Sequence, residues 1–104
     1  MSKKFITPTA EECYNILRPF FERYPNPLME TLAYAYAFRL LAKAPMMSGS
    51  LVENMAALII VVDCVTRLPG MNHKLNHKDI EAAFNVDSKT VEKRYIGLRY
   101  ILES

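Results

Sequence analysis

Apolar positions recur at steps of three and four along most of the chain, which is the period of amphipathic helices. Apolar-then-polar alternation is not sustained anywhere, so no strand is expected. Thr9-Ala10-Glu11-Glu12 has the spacing of a capping box, in which a hydroxyl and a carboxylate satisfy each other's backbone donors. Behind it, Cys13, Ile16, Leu17, Phe20, Phe21 and Tyr24 form one stripe. Pro19 interrupts the donor ladder inside this stripe, and a kink or break is expected near Arg18. Asn26 caps a second helix with Pro27 at its first position, where a missing N–H costs nothing. That helix is expected to run to about Lys43, with Leu28, Leu32, Ala35, Phe38 and Leu41 on its inner face.

Residues 44–49 read as a loop, and Ser50 to Glu53 as a second capping box. The helix it opens, to about Arg67, is apolar nearly all round between Met55 and Val65. A helix without a polar face is a buried one, so this third helix is the expected central post. Asp63 and Arg67, four apart, suit an ion pair near its end. A turn from Leu68 to Asn72 leads to a short helix from about Asn76 to Phe84. Asn85 suits a left-handed position and Asp87 caps a last helix, with Val91, Tyr95, Leu98 and Leu102 inside. Gly97, inside that helix, costs about 1 kcal/mol against Ala and marks an expected close approach by another helix or a partner backbone. The fold class is all-α: five helices, residues 1–8 a short arm and residues 9–104 one domain.

With 104 residues there is material for a single core. Thirteen Lys and Arg against eleven Asp and Glu make the chain only mildly basic, which permits nucleic-acid binding without arguing for it. Cys13 and Cys64 both lie in apolar stretches and read as reduced core thiols. The start of the chain lacks an apolar leader, and the longest apolar run falls far short of a membrane span. A cytoplasmic location is expected.

The sharpest chemical signal lies between Asp79 and Val91. Ile80, Phe84, Asn85, Val86 and Asp87 supply, in order, an early apolar anchor, an apolar end, a sharp turn, a corner plug and a second cap. That is the requirement of a helix-turn-helix. In a DNA-binding version Ser88, Lys89 and Lys93 face the major groove, with Glu92 and Ile96 beside them. Arg94, Lys74, His77 and Lys78 would then touch phosphates. Glu81 stands where such units prefer a small residue, and Glu92 puts a negative charge on the reading face. From Met71 onward, six Lys and Arg face five acids.

The order of five helices, with Ala56-Ala57 in the buried third one, resembles a single cyclin-box repeat. The likeness is to the core repeats of TFIIB-type initiation factors, where paired alanines precede a stretch reading roughly E-I-A-x-x-x-G-V-S-x-x-T-I-x-x-x-Y. Asp79-Ile80, Val86 to Val91 and Tyr95 carry the match. Pro45 to Ala57 is also similar to a stretch in an uncharacterised family of small bacterial cyclin-like domains, from which Ser50 and Met55 depart. The resemblance implies an orthogonal cyclin-like bundle and a regulatory role in transcription. TFIIB-type factors and cyclins carry two repeats and this chain has room for one, so a two-repeat DNA grip implies dimerisation.

Two function classes follow. The first is a DNA-binding regulator using the terminal helix-turn-helix. The second is a protein-interaction module of cyclin-box type, with Tyr34, Tyr36, Met46 and Met47 as an apolar docking patch. No elbow around a serine, phosphate cradle or carboxylate pair points to an enzyme. Cys13, Cys64, His73 and His77 lack metal-ligand spacing. Neither a cofactor nor a small-molecule substrate is expected.

Overall fold

The computed structural model describes residues 5–66 and 77–103, with the backbone alone at His77. Within them lie β1 (Phe5–Ile6), α1 (Ala10–Arg23), α2 (Pro27–Lys43), β2 (Met47–Ser48), α3 (Leu51–Thr66), α4 (His77–Phe84) and α5 (Ser88–Glu103). The fold is all-α; among the described residues it carries one antiparallel contact, in which Phe5 stands opposite Ser48 and Ile6 opposite Met47.

α1, α2, α3 and α5 each begin where their local chemistry says they should. Thr9 Oγ1 accepts from the Glu12 N–H at 3.2 Å while Glu12 Oε1 accepts from the Thr9 N–H at 3.2 Å. Asn26 Oδ1 accepts from the Met29 N–H, ahead of Pro27. Ser50 and Glu53 close the second reciprocal box. Asp87 Oδ2 accepts from the Thr90 N–H at 3.3 Å, opening α5. These caps satisfy donors that a helix cannot satisfy itself.

α3 is the post. Every residue from Asn54 to Asp63 is buried, and α1, α2, α4 and α5 all pack against it. Among the described residues, no helix is long and apolar enough to cross a membrane. α3 is apolar because it is surrounded by protein.

Three expectations need correction. α1 does not break at Pro19 but runs unbroken from Ala10 to Arg23. Pro19 is exposed, and Leu17, Phe20 and Phe21 on either side of it are buried. Core contacts therefore clamp both halves of the helix, offsetting the roughly 3 kcal/mol that an interior proline costs. The inner face of α2 is Met29, Ala33, Ala37 and Leu40, leaving Leu28 60% and Phe38 64% exposed. Two alanines let the helix backbone come close to its neighbours, and that packing advantage outweighed the larger side chains on the other stripe. Cys13 is buried as expected, but Cys64 is exposed on the last turn of α3, where its Sγ lies 3.6 Å from the Tyr95 hydroxyl.

The corner between α4 and α5 forms as the sequence implies. Asn85 takes the left-handed conformation with φ 51°. The Val86 N–H reaches back to the Glu81 carbonyl at 3.2 Å, a Schellman closure of α4. Ile80 and Val91 are buried on either side of the turn. Phe84 stacks on Phe20 with centroids 5.5 Å apart, tying α4 to α1. The Asp63–Arg67 pair and the turn from Leu68 to Asn72 fall outside the described residues.

Candidate interaction face on the last helix

α5 carries two seams on opposite sides. Val91, Leu98 and Leu102 are buried and Tyr95 is half-buried. This inner seam packs on α3 and, to a lesser extent, on α2. The outer seam is Lys89, Lys93, Ile96, Tyr100 and Glu103, all exposed. Its steps of four, three, four and three are the spacing of a helix-pairing stripe. Ile96 is 63% and Tyr100 79% exposed, so the middle of this seam presents apolar surface to solvent.

Gly97 sits at the edge of the seam. A Cβ built there would meet nothing within 4 Å. The expected close approach is therefore not made by any described residue of the chain, and the glycine leaves a notch in the helix surface. Beside it runs a groove of about 210 Å³ whose lining includes Phe5, Met46, Lys93, Gly97 and Ile101. Phe5 and Met46 are themselves more than half exposed.

The floor of the groove is held by polar contacts. Arg94 Nη1 donates to Ser48 Oγ. Asn54 Nδ2, buried on α3, donates to the Ser48 carbonyl at 3.1 Å and the Ser50 carbonyl at 2.7 Å. Gly49, with φ 85°, lets the chain turn beneath the Arg94 guanidinium. The residues joining α2 to α3 are thereby fastened to both α3 and α5. Met46, two residues before Ser48, stands exposed in the groove beside the last helix.

The proposed DNA-contacting residues are distributed unevenly. Ser88, Lys89 and Lys93 are exposed on α5, as are Glu92 and Ile96. Lys78 is exposed on α4. Arg94 is turned to Ser48 instead of outward. Lys74, His73 and the side chain of His77 lie outside the described residues. The four proposed docking residues do not form one patch. Met47 is 4% exposed and belongs to the core, because its pairing with Ile6 turns it inward. Tyr34 lies at the α1–α2 seam, edge-on to Tyr14 at 5.1 Å. Its hydroxyl donates to Glu30 Oε2 at 2.6 Å. Burial and this bond push Tyr34 up to about 12. Tyr36 packs half-buried against the core. Met46 and Met47 both line the groove, and of these two Met46 is the exposed one.

Sequence reasoning marked Gly97 as a point of close approach by a helix or partner, but did not place Phe5, Ile96 or Tyr100 in a docking surface. The four-three stripe on α5 was visible in sequence. The position of Phe5 was not, because it depends on a pairing with residues more than forty positions away. The chain matches no family model, no curated protein and no solved structure.

Proposed function

We propose that the protein is a non-catalytic protein-interaction module whose contact face is the outer seam of α5 together with the Phe5–Met46 groove. The observation that carries this reading is the apolar centre of an exposed helix face: Ile96 and Tyr100 stand out to solvent around an open notch at Gly97. Exposed apolar residues grouped around a groove mark a surface that another molecule covers. Amphipathic Tyr and adaptable Met are residues suited to such contacts. The resemblance to a single cyclin-box repeat supports the same reading, since such repeats serve as binding devices. A DNA-reading helix, by contrast, favours a continuous basic stripe, and this seam is neutral in its middle and acidic at Glu103.

A photoreactive benzoylphenylalanine placed at Tyr100, and separately at Phe38 as an exposed control on α2, tests the reading in living cells. Polypeptide adducts at position 100 and not at 38 are expected. Equal labelling at both positions, or adducts to nucleic acid, would overturn it.

DNA binding is the second reading, favoured by the α4–turn–α5 corner and by Ser88, Lys89 and Lys93 on one side of α5. Its measure is affinity against salt. Each phosphate contact adds roughly 0.9 to the log–log slope, so a slope near zero removes it.

A further inference from the structure

We infer that the occupant of the α5 face is a second copy of this chain, docked antiparallel along the same helix. This deepens the interaction-module reading and rests on it.

The outer seam is complementary to its own reverse. Read from the start of α5, it runs Lys89, Lys93, Ile96, Tyr100, Glu103. Laid against an inverted copy with a two-fold axis beside Ile96, Lys89 comes opposite Glu103 and Lys93 comes opposite Tyr100. Each charge match occurs twice, once on each side of the axis. Lysine over a tyrosine ring is an attractive contact in its own right. A parallel pairing places Lys against Lys and Glu against Glu along the whole seam. The charge pattern therefore selects both the partner and its direction. Glu103 Oε1 already accepts from Arg99 Nε at 2.8 Å, which holds its carboxylate at the end of the seam with a second oxygen to offer.

The centre fits as well as the ends. Lys93, Ile96, Gly97 and Tyr100 stand at i, i+3, i+4 and i+7, the four corners of a hole that accepts one knob from a facing helix. Gly97 removes one corner and deepens the hole, with nothing within 4 Å of where its Cβ would be. In the antiparallel register the knob is Ile96 of the other copy. Phe5 and Met46, exposed beside the notch, extend the covered area beyond the helix pair. The contact is one helix seam with two flanking side chains, so a weak, reversible dimer is expected. The dimer covers Lys89 and Lys93, and so competes with any reading of DNA by those residues.

Sedimentation equilibrium on the full chain, from about 1 µM to about 1 mM, tests the inference. A monomer–dimer equilibrium is expected, weakened about 100-fold by Ile96→Glu with the circular dichroism spectrum and melting temperature retained. Lys89→Glu should weaken the dimer, and Lys89→Glu with Glu103→Lys should restore it, because the swap exchanges both ends of each pair. A chain that stays at monomer mass throughout overturns the second copy as occupant, while the cross-linking at position 100 still decides the interaction-module reading by itself. A dimer indifferent to Ile96→Glu, or a charge swap that fails to restore, overturns the antiparallel α5 contact.

Discussion

α3 and α5 are both sixteen residues long, yet they have opposite relations to the rest of the chain. α3 is covered on every side for ten consecutive residues. α5 is covered along one seam and open along the other. Burial on all sides leaves α3 no freedom of composition: any polar residue there needs an internal task, as Asn54 has in holding the Ser48 and Ser50 carbonyls. The outer seam of α5 has no such obligation. Folding alone would tolerate Lys, Glu or Ala at all five of its positions. Ile96, Gly97 and Tyr100 are not what a solvated helix face needs, and that excess over the requirements of the fold is what points to a partner.

The contrast can be broken by matched truncations. Leu58→Ala in α3 removes a fully buried side chain and is expected to cost about 3 kcal/mol. Ile96→Ala on α5 is expected to change stability by no more than about 0.5 kcal/mol in the monomer. Urea denaturation at low protein concentration measures both. Comparable losses at the two sites would mean that the outer seam of α5 belongs to the core after all.

The two thiols sharpen the point at which coverage ends. Cys13 is fully buried, and burial, with Glu12 beside it, pushes its thiol up to about 11. In the unfolded chain the same thiol ionises around 9.0. Between these values the folded state keeps a proton that the unfolded state has released. Stability is therefore intact below pH 9.0 and falls as pH rises toward about 11, by on the order of 2 kcal/mol. Tyr34, also raised, acts in the same direction at still higher pH. Denaturation followed against pH, with Cys13→Ala as reference, isolates the thiol: the variant should lose less stability over this window. Cys64, exposed past the end of the buried stretch, should be alkylated in the folded protein while Cys13 is not.

What the sequence disclosed was mostly local. Thr9, Asn26, Ser50 and Asp87 cap helices through residues three positions on, and Asn85 needs only its own backbone preference to turn the chain. Such signals act within one turn, so neighbouring residues suffice to read them. The face of α2 was a different problem. Its apolar residues surround the helix, and only the approach of α1 and α3 decides that Ala33 and Ala37 go in while Phe38 stays out. Met47, which local pattern leaves open between a surface patch and satellite core packing, goes inward for the same kind of reason, since its burial accompanies a pairing with Ile6 across the fold. The candidate face was half legible. The exposure of Lys89, Lys93 and Ile96 followed from helical period, and Gly97 was visibly out of place. Arg94 reaching Ser48, and Phe5 arriving beside the notch, depend on tertiary contacts that no local pattern encodes.

Two glycines give the finest division between what the fold needs and what the α5 face needs. Gly49 has φ 85°, and a Cβ there would stand 3.0 Å from the Arg94 guanidinium. Gly49→Ala therefore strains the backbone and displaces the clamp on Ser48, an expected loss of about 1–2 kcal/mol. Gly97 is helical and opens onto empty space. Gly97→Ala gains helix propensity without meeting any atom, so the monomer should become more stable by about 0.5–1 kcal/mol. The same methyl fills the hole meant for Ile96 of the other copy, so self-association should weaken as the melting temperature rises. A core glycine cannot give that opposite pair of changes, because there a methyl that disturbs packing lowers stability too. If Gly97→Ala raised stability and left association untouched, the notch would be ornamental and the helices would have to meet along some other line.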